Sequence, residues 1–166
     1  MRGWSCLPLP RAGLSLEQQV DCLVDQATDR AYRIGPATIA MRQNPYGART
    51  IPNPEQGRIC MADFDPRHFA AFGAAYALGL ATALAPFDVA VWTPAALYGP
   101  RGLLREDGTP SPLAWVLEAL AGCAGKKVIA ATIKGGLARL AFEDGHEFTA
   151  NLTDRMLDGL QPFDWR

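Results

Sequence analysis

The sequence has no metal-ligand spacing, no closely paired cysteines and little histidine. Its four cysteines (Cys6, Cys22, Cys60, Cys123) are far apart and form no C-x-x-C, and its two histidines, His68 and His146, stand alone. That pattern predicts reduced thiols, a cytoplasmic setting and no metal centre. An excess of one charge is also missing. Sixteen Lys and Arg face seventeen Asp and Glu, for a net charge of −1, which argues against electrostatic binding to nucleic acid or to an anionic membrane. No apolar run reaches the roughly 20 residues of a spanning helix without glycine interruptions. The nearest stretch, 69–85, reads as a core helix. Residues 1–10 carry one positive charge but no uninterrupted apolar segment, so no secretory signal is expected. P-loop, dinucleotide fingerprint and Ser/His/Asp set are all absent, as are internal repeats and low-complexity segments.

What is present suits one domain, or one domain with a small appendage: 166 residues, 49% of them apolar. The chain is organised around a helix from Asp65 to about Ala85 and a short strand, Asp88–Thr93. Asp65-Pro66 supplies an N-cap acceptor and a proline at the first helical position. The helix body is apolar almost all round and should be buried on several sides. Val89-Ala90-Val91-Trp92 has the continuous apolar pattern of a strand covered on both faces. The loop that follows, 94–102, is rich in Gly and Pro and carries Tyr98 and Arg101. In α/β proteins such a loop presents polar groups at the carboxyl end of the sheet.

Residues 1–14 are expected to be a tail or covering loop. Ser15-Leu16-Glu17-Gln18 has capping-box spacing and opens a helix to about Arg30. Tyr32–Met41 reads as a strand that Gly35-Pro36 splits into a lead-in and a core run, Ala37–Met41. The stretch 43–64 has no repeating pattern and reads as a long loop, of a length that is usually functional or mobile. Ser111-Pro112 starts a further helix that stops at Gly122 or Gly125. From Lys126 the pattern changes to three short strands, Val128–Ile133, Leu137–Phe142 and Glu147–Leu152. Gly135-Gly136 and Asp144-Gly145 serve as their turns, so an antiparallel meander is predicted, packed apart from the parallel strands. The division is thus 1–14, an α/β segment over 15–125 and a β appendage over 126–166. Two parallel strands with helices leave a half-open sheet, so the α/β segment is expected to belong to something larger.

The element order matches the end of a TIM (β/α)8 barrel followed by a small β appendage, and several segments carry a closer likeness. These are Gly35–Gly47 with its Arg42-Gln43-Asn44-Pro45-Tyr46-Gly47, then Asp65-Pro66-Arg67 and the Ala-rich helix, Tyr98–Leu103 leading to Pro112–Leu117, and Ala150–Thr153. Together they resemble the C-terminal portion of the D-apionate lactonases, bacterial sugar-acid-catabolism enzymes with a glycosidase-like barrel. The resemblance spans roughly residues 16–155. It implies hydrolysis of a sugar-acid lactone without a cofactor. The earlier strands of such a barrel have no counterpart here.

Arg42, Asn44 and Tyr46 are placed just past a strand end, where barrel enzymes hold site residues, and arginine, amide and phenol suit a carboxylate and hydroxyls. A plain turn at Asn44–Gly47 explains the same residues. Trp92 and Tyr98 could line a sugar ring, or Trp92 could complete the core. Arg101 is a candidate carboxylate or oxyanion clamp, or a solvated loop residue. Asp63, Asp65 and His68 form the tightest acid–histidine cluster. Asp65 is expected to cap its helix and His68 to be exposed in the first turn. No glutamate stands at the strand end where a retaining glycosidase would want its nucleophile.

The reading is therefore part of a barrel hydrolase that opens a sugar-acid lactone with water. Arg42, Asn44 and Arg101 bind and polarise, while Tyr46, Trp92 and Tyr98 line the pocket. The expected partners are a small-molecule lactone and either another copy or the rest of a barrel. A non-catalytic remnant or interaction module, and a glycoside hydrolase segment, are the alternatives.

Overall fold

The computed structural model describes residues 32–41, 49–87 and 89–166. The expected tail 1–14 and the helix to about Arg30 lie outside the described residues. In chain order come β1 (Tyr32–Ile34), a 3-10 turn (Pro66–Phe69), α1 (Ala71–Leu84), β2 (Val89–Trp92), α2 (Pro112–Ala121), β3 (Val128–Lys134), β4 (Leu137–Phe142) and β5 (Glu147–Asn151). The architecture is α/β, with a parallel pair β1–β2 and a separate antiparallel sheet β3–β4–β5. The described residues do not close a barrel. None of their helices is long and apolar enough to cross a membrane.

The parallel pairing joins Tyr32 to Val89, Arg33 to Val91 and Ile34 to Trp92. The core strand expected at Ala37–Met41 is therefore displaced to the lead-in. Proline at position 36 has no N–H to give to a ladder, and the pairing fades beyond it. The Thr93 N–H donates to the Ile34 carbonyl at 2.8 Å and the Ala37 N–H to the Thr93 carbonyl at 2.9 Å. The Met41 N–H then turns away to the Ala62 carbonyl, at 3.0 Å. Ala37, Ile39 and Ala40 are nonetheless buried. Their apolar run serves packing, and the sequence pattern cannot separate that from a strand.

The expected helix 65–85 is two pieces. Asp65 caps a 3-10 turn, accepting from the Arg67 N–H, and Ala70 is extended before α1 begins. Gly73 marks the junction, because a Cβ there would collide with the carbonyl oxygen of His68. Ten of the fourteen residues of α1 are buried, in accord with its all-round apolar sequence. It is the central element: α2, the 3-10 turn and all three strands of the meander pack on it. Small residues (Ala74, Ala75 and Ala77, all buried) let those neighbours approach closely.

The meander forms as read. Gly135 and Gly136 make the two-residue turn with φ of +60° and +83°, the double left-handed geometry that twisted hairpins favour. Along β4 burial alternates, with Ala138, Leu140 and Phe142 turned inward. The meander is a separate sheet, but it is not packed apart. Its inward residues join one core cluster with Ile34, Leu78, Leu80 and Val116. The meander packs directly on α1, and that helix's all-round apolar surface carries one continuous core from the meander to α2 and Ile34.

The far edge of β5 is covered by the last residues of the chain. Thr149 and Arg166 exchange backbone hydrogen bonds at 2.8 and 3.0 Å, and the Asn151 N–H donates to Asp164 at 2.9 Å. This blunts an edge that would otherwise be open for pairing.

Candidate functional site

Loops that leave the carboxyl ends of β1 and β2 meet on one side of the parallel pair. After β2 the chain folds back on itself: the Ala96 N–H donates to the Arg101 carbonyl and the Leu103 N–H to the Ala96 carbonyl, at 2.8 and 2.9 Å. A tight turn, Gly99-Pro100-Arg101-Gly102, is closed by the Gly102 N–H on the Gly99 carbonyl at 2.8 Å. Proline at its second position is preset for the turn. Gly99 has φ +81°, and a Cβ on Gly102 would lie 2.7 Å from the Tyr98 carbonyl carbon. Both glycines are thus required by the shape of the loop.

Arg101 is held by this turn at the junction of three segments. Its Nη1 donates to the carbonyls of Met41, at 3.0 Å, and Asp63, at 3.3 Å. The guanidinium therefore ties the loop after β2 to the chain after β1. Met41 immediately precedes Arg42, Asn44 and Tyr46, the candidates that lie outside the described residues. Tyr98, beside the turn, is 63% exposed. Trp92 lines a small cavity together with Tyr76 and Ala77 of α1 and Leu113 of α2.

The acid–histidine cluster is tied up in structure. Asp65 is buried, accepting from the Arg67 backbone N–H at 3.0 Å and from Arg67 Nε at 2.9 Å. The Arg67 guanidinium in turn lies 5.2 Å from the Phe72 ring centre. His68 is not exposed, as its place in the first turn suggests, but 1% accessible. Its Nε2 is 3.1 Å from the Gly102 carbonyl. A carbonyl only accepts, so Nε2 carries the proton. Burial pushes the pKa of His68 down, aided by the Arg101 charge and opposed by backbone hydrogen bonds and Asp65. Its hydrogen-bond partner, Gly102, is distant in sequence, so no local pattern reveals it.

Beside this junction lies a groove of about 510 Å³, lined by Gln56, Phe64, Phe69, Pro100, Arg105 and Glu106 among others. The volume is that of a small-molecule cleft. Phe64 and Phe69 stack at 6.0 Å between ring centres, 20° apart in plane. Arg105 Nη2 donates to the Phe69 carbonyl at 3.1 Å. Asp107 is turned to the Thr109 hydroxyl at 2.6 Å and the Thr109 N–H at 2.9 Å, which hold its carboxyl below the usual range. Sequence reading missed Phe64, Phe69 and Arg105, because only folding brings together the two loops that carry them. Among the described residues no group of three His, Cys, Asp or Glu is placed to hold a metal ion.

The family model described as D-apionate lactonase, TIM barrel domain, matches residues 15–125. The D-apionate lactonase of Brucella anthropi is 41% identical over an alignment covering 76% of this chain and 22% of that protein. The chain thus spans well under a third of the length of this curated relative. No solved structure matches it.

Proposed function

Since this chain belongs to the D-apionate lactonase family, we propose that it supplies the closing strands, and part of the site, of a barrel hydrolase that opens a sugar-acid lactone with water. In this reading 15–125 is the barrel segment and 126–166 the β appendage, and the rest of the barrel is the missing partner. The reaction adds water to the ring carbonyl; the tetrahedral oxyanion then collapses and expels the ring oxygen, which takes up a proton. The step needs a cation or N–H donors at the oxyanion and a base for the water. Arg42, Asn44 and Arg101 take the first role and bind the sugar-acid hydroxyls, while Tyr46 and Tyr98 line the pocket. Trp92 ends β2 beside residues of α1 and α2.

The observation that carries the reading is the placement of Arg101. It is fixed on the Met41 carbonyl, where the loops from both parallel strands converge, beside a groove of small-molecule size. The base is assigned to the partner. Asp65 is engaged by Arg67, and His68 uses its protonated nitrogen on Gly102.

The test is complementation. The Brucella anthropi enzyme, cut to remove the stretch that this chain matches, is mixed or co-expressed with the chain, and lactone opening is followed by acid release. Each part alone is expected to be silent and the pair active, with Arg101→Ala lowering the recovered rate at least about tenfold. Turnover by the chain alone, well above the spontaneous rate, would refute the shared-barrel reading.

A further inference from the structure

A cavity of about 10 Å³ lies between the end of β2 and the first turns of α1. Among the side chains lining it, only His68, Tyr76 and Trp92 carry polar atoms. Two of those atoms, His68 Nδ1 and Trp92 Nε1, are buried and meet no hydrogen-bond partner among the described residues. Their chemistry is complementary. With the proton on Nε2 facing Gly102, a neutral imidazole leaves Nδ1 as a bare acceptor, and an indole N–H only donates. A volume of about 10 Å³ is about one water probe, and buried waters sit where two or more such groups converge.

We propose that this cavity is a site for one structural water, which accepts the Trp92 indole proton and donates to Nδ1 of His68. Tyr76 also lines the cavity. Burial pushes its ionisation up to about 12, so it stays a neutral phenol. The water links the last residue of β2 to the 3-10 turn. Through His68 Nε2 the link runs on to Gly102 and so to the turn that holds Arg101. Trp92 and His68 are then positioning residues for the rim of the groove.

The test uses the full chain sedimented for magic-angle-spinning NMR, which reads monomer and assembly alike. Expected at neutral pH are a His68 ring protonated at Nε2, an Nδ1 resonance shifted upfield from a bare nitrogen, and magnetisation transfer from a bound water to the Trp92 indole proton. Trp92→Phe should abolish that transfer and move the Nδ1 resonance, leaving the Nε2 proton in place. The wild-type spectrum decides by itself if the variant does not fold. A proton on Nδ1, a scalar coupling between Trp92 Nε1 and His68 Nδ1 that reports a direct bond, or no water transfer to the indole would each overturn the proposal.

Discussion

Burial keeps His68 neutral, and this makes stability depend on pH in a definite sense. Its folded pKa lies below the ordinary 6.5, so between those two values the unfolded chain binds a proton that the folded chain does not. Stability is complete above about 6.5 and is lost as pH falls through the window below it. Urea midpoints taken from about pH 7.5 down to about pH 5.5 should fall, and His68→Gln should flatten that part of the profile. Equal slopes in both proteins would show that the imidazole is not the group responsible. Gly73 is a second residue whose identity is forced. Gly73→Ala drives a Cβ into the His68 carbonyl and should cost about 1–3 kcal/mol as overpacking. Gly57→Ala meets only the Asn53 side chain, at 3.9 Å, and should leave the urea midpoint nearly unchanged.

At the scale of elements, the end of the meander hangs on one amide. Asn151 is fully buried. Its Nδ2 donates to the carbonyls of Arg155 and Gln161 at 2.7 and 2.9 Å, and its Oδ1 accepts from the Thr153 N–H and hydroxyl at 2.9 and 2.7 Å. Asn151→Ala leaves several buried groups without partners and should cost about 2–4 kcal/mol in urea unfolding. A loss under about 0.5 kcal/mol would mean that water replaces the amide. The sequence shows Asn151-Leu152-Thr153 only as a formal glycosylation pattern. Its structural role depends on carbonyls that a folded loop supplies. Removal of residues 164–166 strips the cover from β5, and the Thr149 amide should then exchange its hydrogen faster by the loss of its bond to Arg166.

At the scale of the whole molecule, the described residues form a parallel pair of two strands, part of a barrel ring, and Val91 in the middle of β2 is 42% exposed. Light scattering on the purified chain should find oligomers or aggregates, and addition of the remainder of the barrel should reduce them; a stable monodisperse monomer would contradict this. The sequence by itself determined the elements whose cause is local or periodic. The cap at Asp65, the buried helix, the strand Val89–Trp92, the Ser111-Pro112 start and both hairpin turns follow from residue chemistry within a few positions. Tertiary structure decided the rest. It decided which part of 32–41 pairs with β2, that the helix breaks at Ala70, that His68 is buried and lines one cavity with Trp92, and that Phe64, Phe69 and Arg105 share one groove. Several of these depend on a partner many residues away: Val89 and Trp92 for the pairing of β1, and Gly102 for His68. Periodicity reports that a side chain is to be buried, whereas the neighbour that buries it is chosen only when the whole chain closes.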